Sequence, residues 1–346
     1  MIAEATKKVE ARENLSRSEA NAAMEELLSG RVSDSQIVAL LAALRTKGET
    51  VEELVGFATA MRHHAQPIFD SSRAPQGMLV DTCGTGGDAK GTFNISTAAA
   101  FVVAGAGVRV AKHGNRSFSS KCGSADVFEA LGVNLDTPPQ RIGAAIEQVG
   151  IGFLFAPAVH TAMRHATAAR RQLGGRTVFN LLGPLTNPAG ARAQVLGVFA
   201  AALTELLAGA LAELGVERAF VVHGADGLDE ISLSGETYLA EVRNATVRNC
   251  KVKPEDFGLR RAPIEALAGG DAATNAQIIL RILHGEPGPT RDIVVANAAA
   301  ALVAAGRATD FNEGARLAAQ AIDSGAARAK LDQLIAFTRE TKLKSL

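Results

Sequence analysis

Glycines, hydroxyls and amides are concentrated in residues 81–124, and these residue types suit the binding of phosphate. Residues 84–88 (GTGGD) follow a short apolar run. Glycines permit a positive φ and let a ligand approach the backbone, and successive N–H groups in such a turn form an anion nest. The spacing matches neither the P-loop nor the G-x-G-x-x-G pattern. Alone, it predicts either a phosphate-binding loop or an ordinary tight turn.

Two further polar segments follow the glycine turn. Residues 94–97 (NIST) predict a helix start, where these side chains serve as ordinary N-caps, but a helix N-terminus beside a parallel sheet also binds anions. Residues 112–117 (KHGNRS) add two cations after the next predicted strand. His113 by itself is more typical of a structural histidine. Together the segments favour phosphate binding at one sheet edge.

An acidic pair, Asp229 and Glu230, closes a glycine loop after the strand predicted at 220–222. Carboxylates in a loop suit Mg²⁺, which keeps waters and binds substrate phosphates. Adjacent acids are also common as solvated surface charge. Combined with a phosphate nest, the pair favours metal–diphosphate binding.

Four arginines, Arg164, Arg170, Arg171 and Arg176, lie in helix-forming sequence. The planar fork of arginine matches a carboxylate. The alternative is a solvated basic helix face.

Helices and a parallel sheet must position these groups. Capping boxes at Ser16, Ser33 and Thr50 predict helices across residues 14–70. The segment from Met78 to Val110 predicts a strand–helix–strand unit. Further strands are predicted at residues 152–155, 195–199 and 220–222, helices at 203–214, 291–306 and 311–323, and a linker at 67–77.

Composition limits the class of protein. The chain has 346 residues, 36 basic and 36 acidic, so its formal net charge is zero, which argues against wholesale nucleic-acid binding. The longest apolar run, 98–108, is shorter than the ~20 residues of a membrane helix. Three cysteines without a C-x-x-C spacing fit a reducing compartment. We expect two domains in a cytoplasmic protein without nucleic-acid or membrane partners.

The motifs DTCGTGGD, FNISTA, KHGNRS, RTVFNLLGPLTNP and HGADGLDEIS together resemble the anthranilate phosphoribosyltransferase family over nearly the whole chain. The resemblance implies an α/β fold, with a small N-terminal helical domain plus a larger domain with a mostly parallel central sheet flanked by helices. The helical domain would cover 1–75, completed by helices within about 160–185, and the larger domain 76–346. A homodimer through the helical domain is implied.

The implied reaction belongs to tryptophan biosynthesis. It transfers the 5-phosphoribosyl group from phosphoribosyl diphosphate to the amine of anthranilate with two Mg²⁺ per subunit. The residues carried over for phosphoribosyl diphosphate are Gly84, Gly87, Asp88, Thr92, Asn94, Ile95, Ser96, Thr97, Lys112, His113, Gly114, Asn115, Arg116, Ser117, Phe118, Ser119, Ser120 and Ser124. Those for anthranilate are Gly84, Asn115 and Arg170; those for metal are Ser96, Asp229 and Glu230; and those for catalysis are Lys112, Asp229 and Glu230.

Two positions depart from the family pattern: Cys122 replaces a serine, and Thr161 replaces a proline. Neither is an assigned ligand, so we expect only small effects on affinity. Two alternatives stay open. A nucleoside phosphorylase of the same fold would use phosphate without a divalent metal, and the acidic pair argues against it. A non-catalytic nucleic-acid-binding relative would need a basic excess and degraded motifs.

Overall fold

The computed structural model describes residues 1–69, 77–117 and 122–343. Three of the candidate site residues, Phe118, Ser119 and Ser120, lie outside the described residues, as does most of the predicted linker at 67–77.

Four helices open the chain: α1 (Ile2–Glu10), α2 (Arg17–Leu28), α3 (Asp34–Lys47) and α4 (Val51–His63). The three predicted capping boxes are confirmed at the starts of α2, α3 and α4. In each, the cap hydroxyl accepts the N3 backbone N–H and the N3 side chain returns to the cap N–H, so two otherwise unpaired donors are satisfied.

The third box extends into the core of the helices through Glu53. Its carboxylate accepts the N–H groups of Thr50 and Leu15, both at 2.9 Å. It also pairs with Lys47 at 2.9 Å, and the two side chains are only 0% and 6% exposed. These hydrogen bonds and the ion pair satisfy the buried carboxylate. They connect the end of α3 and the start of α4 to Leu15, which precedes α2.

Later helices pack on this first group. The stretch after the sheet begins contains α8 (Ala156–Val159), a 3₁₀ turn (Thr161–Ala166), α9 (Thr167–Leu173) and α10 (Val178–Leu182). Ala169, Val178 and Leu182 share one hydrophobic cluster with Leu40 and Leu44 of α3. The boundary between 75 and 76 stays a prediction, since residues 70–76 are outside the described part.

The larger part is a seven-stranded sheet ordered β3-β2-β1-β4-β5-β6-β7. Its strands are β1 (Leu79–Gly84), β2 (Arg109–Gly114), β3 (Ile151–Phe155), β4 (Ala193–Gly197), β5 (Arg218–Gly224), β6 (Thr237–Arg243) and β7 (Thr246–Val252). β1 to β5 are parallel, as predicted. Their carboxyl ends carry the glycine turn, the KHGN segment and the acidic loop.

The antiparallel hairpin β6–β7 is not predicted from the sequence. Its two turn residues, Asn244 and Ala245, both adopt positive φ (50° and 60°). A two-residue hairpin turn of this kind usually has glycine as its second residue. Because alanine stands there, the sequence lacks the Asn-Gly pattern that would predict a hairpin.

Helices cover both faces of the sheet. They are α5 (Ile95–Gly105), α6 (Ser124–Ala130), α7 (Pro139–Gln148), α11 (Leu203–Glu213), α12 (Ala272–Leu283), α13 (Pro289–Ala304), α14 (Phe311–Asp323) and α15 (Ala326–Leu343). The alanine-rich α5 and α13 lie in one buried cluster, because small side chains let helices pack closely against the sheet.

None of the helices in the described part of the chain combines the length and apolar character required to cross a bilayer.

Candidate active site

The glycine turn after β1 has the backbone predicted for it. Gly86 and Gly87 have φ of 63° and 86°, and Ala89 has 59°. The N–H of Thr85 donates to the Gly197 carbonyl at 2.9 Å, which anchors the turn to the end of β4. At Gly197 a Cβ would clash with the backbone oxygen of Asp229. A glycine on a neighbouring strand therefore lets the acidic loop approach the glycine turn.

The start of α5 differs from the expectation in one respect. Asn94 is the N-cap residue but makes no side-chain cap bond. Instead its Oδ1 accepts from Asn275 Nδ2 at 3.0 Å, and its Nδ2 donates to the Cys122 carbonyl at 3.4 Å. Asn94 thus connects the start of α5 to α12 and to the residue two before α6.

A carboxylate from the acidic loop occupies the predicted anion position at this helix start. Glu230 Oε1 accepts the backbone N–H of Ser96 at 3.1 Å. The N–H groups of Ile95 and Thr97 donate to the carbonyls of Phe93 and Asn94, and both side chains are buried. The helix N-terminus favours negative charge, and here Glu230 supplies it.

Lys112 lies beneath this carboxylate. The side chain is 1% exposed, and its ammonium donates to the Thr82 carbonyl and, at 3.2 Å, to Ser96 Oγ. Burial lowers the pKa of Lys112, while the charges of Asp81 and Glu230 act in the opposite direction. The lysine is therefore a fixed group in the floor of the site.

Asp81 holds the end of β2 in place. Its two oxygens accept from the His113 N–H at 3.1 Å and from Asn187 Nδ2 at 2.8 Å. His113 in turn contacts the Gly183 carbonyl through Nδ1 at 3.0 Å, and burial lowers the pKa of His113 to about 3. A neutral, enclosed imidazole agrees with the structural role expected for it.

The acidic loop brings three carboxylates together. Burial, and then repulsion by Asp88, raise the pKa of Asp229 to about 8. Burial and Asp229 also raise the pKa of Glu230, and Lys112 offsets part of that effect. Asp88 Oδ2 is buried and has no hydrogen-bond partner within the described residues. Such crowding of negative charge and an unpartnered oxygen fit a divalent cation.

The chemistry of the donor atoms indicates which cation could bind here. The oxygen atoms of Asp88, Asp229, Glu230 and Ser96 could hold Mg²⁺, which retains waters and needs few protein ligands. In the described part of the chain these acids do not form a set whose ligand atoms all lie within 4.8 Å of one another.

The segment after β2 is held partly by its own side chains. Asn115 Oδ1 accepts the Arg116 N–H at 2.7 Å, and Ser124 Oγ donates to the Asn115 carbonyl at 3.4 Å. Arg116 pairs with Asp126 at 2.8 Å and Glu129 at 2.9 Å. Gly114 ends β2 and Ser117 follows it, while Thr92 pairs with Ala268; the substrate contacts of these three residues stay predictions.

The four arginines differ in their surroundings. Arg164 lies against His165 at 3.4 Å, and Arg171 is exposed. Arg170 is half-buried, its guanidinium 5.2 Å from the Phe179 ring centre. Burial lowers the pKa of Arg170. Arg176 donates to the Gly87 carbonyl and stacks on Phe199 at 3.9 Å.

Three features of the site were not predicted: the contact of Arg176 with the Gly87 carbonyl, the support of Asn94 by Asn275, and the need for glycine at position 197. The signal for Arg176 was present in the arginine cluster. Asn275 and Gly197 lie in ordinary helix and strand sequence, so only the fold reveals them.

Family models match both parts of the chain. The α/β domain of a glycosyl transferase family matches residues 76–328, and the helical bundle domain of that family matches residues 3–65. An anthranilate phosphoribosyltransferase of Pelotomaculum thermopropionicum is 57% identical over 338 residues, covering 98% of this chain and 97% of that protein.

Two solved structures share the fold. The crystal structure of anthranilate phosphoribosyltransferase from Thermus thermophilus has a TM-score of 0.90 and 48% identity, and the match covers 97% of this chain and 99% of that one. The Saccharomyces cerevisiae anthranilate phosphoribosyltransferase in complex with PRPP (phosphoribosyl diphosphate) and Mg has a TM-score of 0.88 and 28% identity, and covers 98% of both chains.

Proposed function

We infer from the membership of this chain in the anthranilate phosphoribosyltransferase family that it transfers the 5-phosphoribosyl group of phosphoribosyl diphosphate to the amine of anthranilate. The products are N-(5-phosphoribosyl)anthranilate and diphosphate, in tryptophan biosynthesis. The observation that carries this inference is the junction of Asp229, Glu230 and Lys112 with the glycine turn and the start of α5. A phosphorylase that uses phosphate without a metal has no need for such a group of acids.

Two Mg²⁺ per subunit would be held by Ser96, Asp229 and Glu230, with Asp88 beside them. When bound, Mg²⁺ supplies Lewis-acid stabilisation of the departing diphosphate. Burial, and then repulsion between neighbouring carboxylates, raise the pKa values of Asp229 and Glu230, and a bound divalent cation would oppose both effects. A relative from S. cerevisiae is described in complex with PRPP and Mg, which supports the use of this metal.

The phosphates would lie over the glycine turn and the segment from Lys112 to Ser124. Positive φ at Gly86 and Gly87 turns the backbone so that it can cradle an anion. Lys112 fixes the Ser96 hydroxyl at the edge of this cradle. These charges and dipoles are in place before substrate arrives, which is the condition for electrostatic stabilisation of a leaving group.

Arg170 and Asn115 would orient anthranilate. The half-buried guanidinium of Arg170 matches the carboxylate of the acceptor, and Asn115 lies in the segment that borders the phosphates.

The bond from the anomeric carbon to diphosphate oxygen breaks, and its electron pair leaves with diphosphate. The amine nitrogen forms the new bond and then loses a proton to solvent. An aromatic amine is neutral before attack, so positioning is the main requirement.

The chain would act as a homodimer in the cytoplasm, with the dimer formed through the helical domain. The family resemblance supports this arrangement, and light scattering of the purified protein measures it directly. A monomer at micromolar concentration would contradict it.

Product formation tests the function. Fluorescence of anthranilate should decrease when phosphoribosyl diphosphate and Mg²⁺ are both supplied, and should stay constant when EDTA removes the metal. Phosphate-dependent cleavage of pyrimidine nucleosides without metal, in place of that reaction, would instead identify the phosphorylase.

A further inference from the structure

A second group of metal-binding side chains lies on the helical bundle, at the junction of α2 and α4. Glu25 is on α2, His63 is the last residue of α4, and His64 caps that helix. His63 Nδ1 is 3.1 Å from Glu25 Oε1, and His64 Nε2 is 2.6 Å from Glu25 Oε2. Within the described residues, this is the one set of three or more such groups whose ligand atoms all lie within 4.8 Å of one another.

The setting favours a cation. His63 and His64 stand at the C-terminal end of α4, where the helix dipole and the free carbonyl groups attract positive charge. Burial acts to raise the pKa of Glu25, but hydrogen bonds from His64 and His63 hold it below its usual range. The carboxylate is therefore ionised and already faces both imidazoles. His63 is 77% exposed, so the group is open to solvent on one side.

We propose that Glu25, His63 and His64 form a binding site for a divalent transition metal such as Zn²⁺, separate from the acidic Mg²⁺ site. Imidazole nitrogen with one carboxylate is a donor set that Zn²⁺ prefers, whereas Mg²⁺ prefers oxygen alone. Three protein ligands leave one position for water on the exposed side. The two sites thus differ in donor chemistry as well as in place.

The site lies where the chain leaves the helical bundle. Immediately after His64, the N–H of Gln66 donates to the Val159 carbonyl at 2.8 Å, next to the end of α8. A metal bound by Glu25 and the two histidines would join α2 to this exit. We therefore expect bound Zn²⁺ to raise the melting temperature of the full chain.

Equilibrium dialysis against Zn²⁺, with Mg²⁺ in large excess to occupy the acidic site, measures the binding. The test variant combines His63→Gln with His64→Gln. Glutamine retains an N–H donor for Glu25 but lacks an imidazole, so the hydrogen bonds survive and the metal ligands do not. Loss of a direct ligand should cost at least the roughly 10–100-fold in affinity that outer-shell changes cost.

Three comparisons make the result specific. His284→Gln removes an exposed histidine that contacts Arg328 and should bind Zn²⁺ as the unaltered protein does. Asp229→Asn with Glu230→Gln should also retain this Zn²⁺. Glu25→Gln provides an independent loss of a ligand and should weaken binding. Unchanged Zn²⁺ affinity in the double histidine variant, or its loss in the acidic-site variant, would overturn the proposal.

Discussion

Arg176 is the residue outside the predicted site whose removal should reveal most about the glycine turn. It extends from a loop that Arg45 ties to the helical bundle, since Arg45 donates to the Gly174 carbonyl at 3.0 Å. Its own guanidinium reaches the Gly87 carbonyl and stacks on Phe199. Arg176→Ala therefore removes a brace between the bundle and the turn that would hold phosphoribosyl diphosphate.

The magnitude follows from these two contacts. A hydrogen bond from a charged donor contributes about 1.5–3 kcal/mol, and an exposed cation–π contact about 0.5–1 kcal/mol. Arg176 is exposed, so we take the low end, about 2 kcal/mol in total. If substrate must then order the turn at that cost, the KM for phosphoribosyl diphosphate rises by roughly 30-fold. The value of kcat should change much less.

Steady-state kinetics with each substrate varied in turn measure this effect. Arg176→Lys keeps the charge but loses the planar fork, and should fall between the alanine variant and the unaltered protein. Arg171→Ala, an exposed arginine in the same segment, serves as the matched control. A KM for phosphoribosyl diphosphate unchanged by Arg176→Ala, or equally raised by Arg171→Ala, would show that Arg176 does not brace the glycine turn.

Three further predictions concern the acceptor, the helical core and the response to acid. Arg170→Ala should raise the KM for anthranilate while binding of phosphoribosyl diphosphate is largely kept; an unchanged anthranilate KM would exclude the assigned contact. Glu53→Ala removes the carboxylate paired with the buried Lys47, whose ammonium keeps the Asn14 and Gly48 oxygens as acceptors, and should cost about 3–5 kcal/mol in urea unfolding; a loss below about 1 kcal/mol would show that the pair contributes little. Burial lowers the pKa of His160 from 6.5 to about 4. The buried neutral imidazole therefore contributes about 3 kcal/mol to the free energy of unfolding above pH 6.5, and this contribution is lost as the pH falls toward 4. The unfolding free energy of His160→Gln should fall less steeply over that range, and parallel curves would argue against a neutral buried imidazole.

Local signals in the sequence identify much of the fold. A capping box requires only residues three apart, so the starts of α2, α3 and α4 follow from Ser16, Ser33 and Thr50. The parallel strands follow from apolar runs separated by helices. The hairpin β6–β7 is not predicted, because its turn has Ala245 at the position where glycine is expected.

The site is less accessible to such reasoning, because its contacts join distant residues. The sequence places Ser96 and Glu230 in separate motifs, and only the parallel sheet brings the carboxylate to the helix N–H. The same holds for Asn275, which supports Asn94 from α12. The helix N-terminus expected to bind an anion at the start of α5 is present, but the N–H groups of Ile95, Ser96 and Thr97 are already used, that of Ser96 by Glu230.

The role proposed for Asp229 and Glu230 is to hold the metal needed to release diphosphate. The direct measurement is the Mg²⁺-dependent turnover of anthranilate and phosphoribosyl diphosphate by a variant carrying Asp229→Ala and Glu230→Ala. Glu236→Ala, which removes an exposed acid paired with Lys251, is the matched control. We predict that turnover falls by roughly 100-fold or more in the double variant, with the control near normal. Near-normal turnover of the double variant with Mg²⁺ would show that these two carboxylates do not hold the required metal.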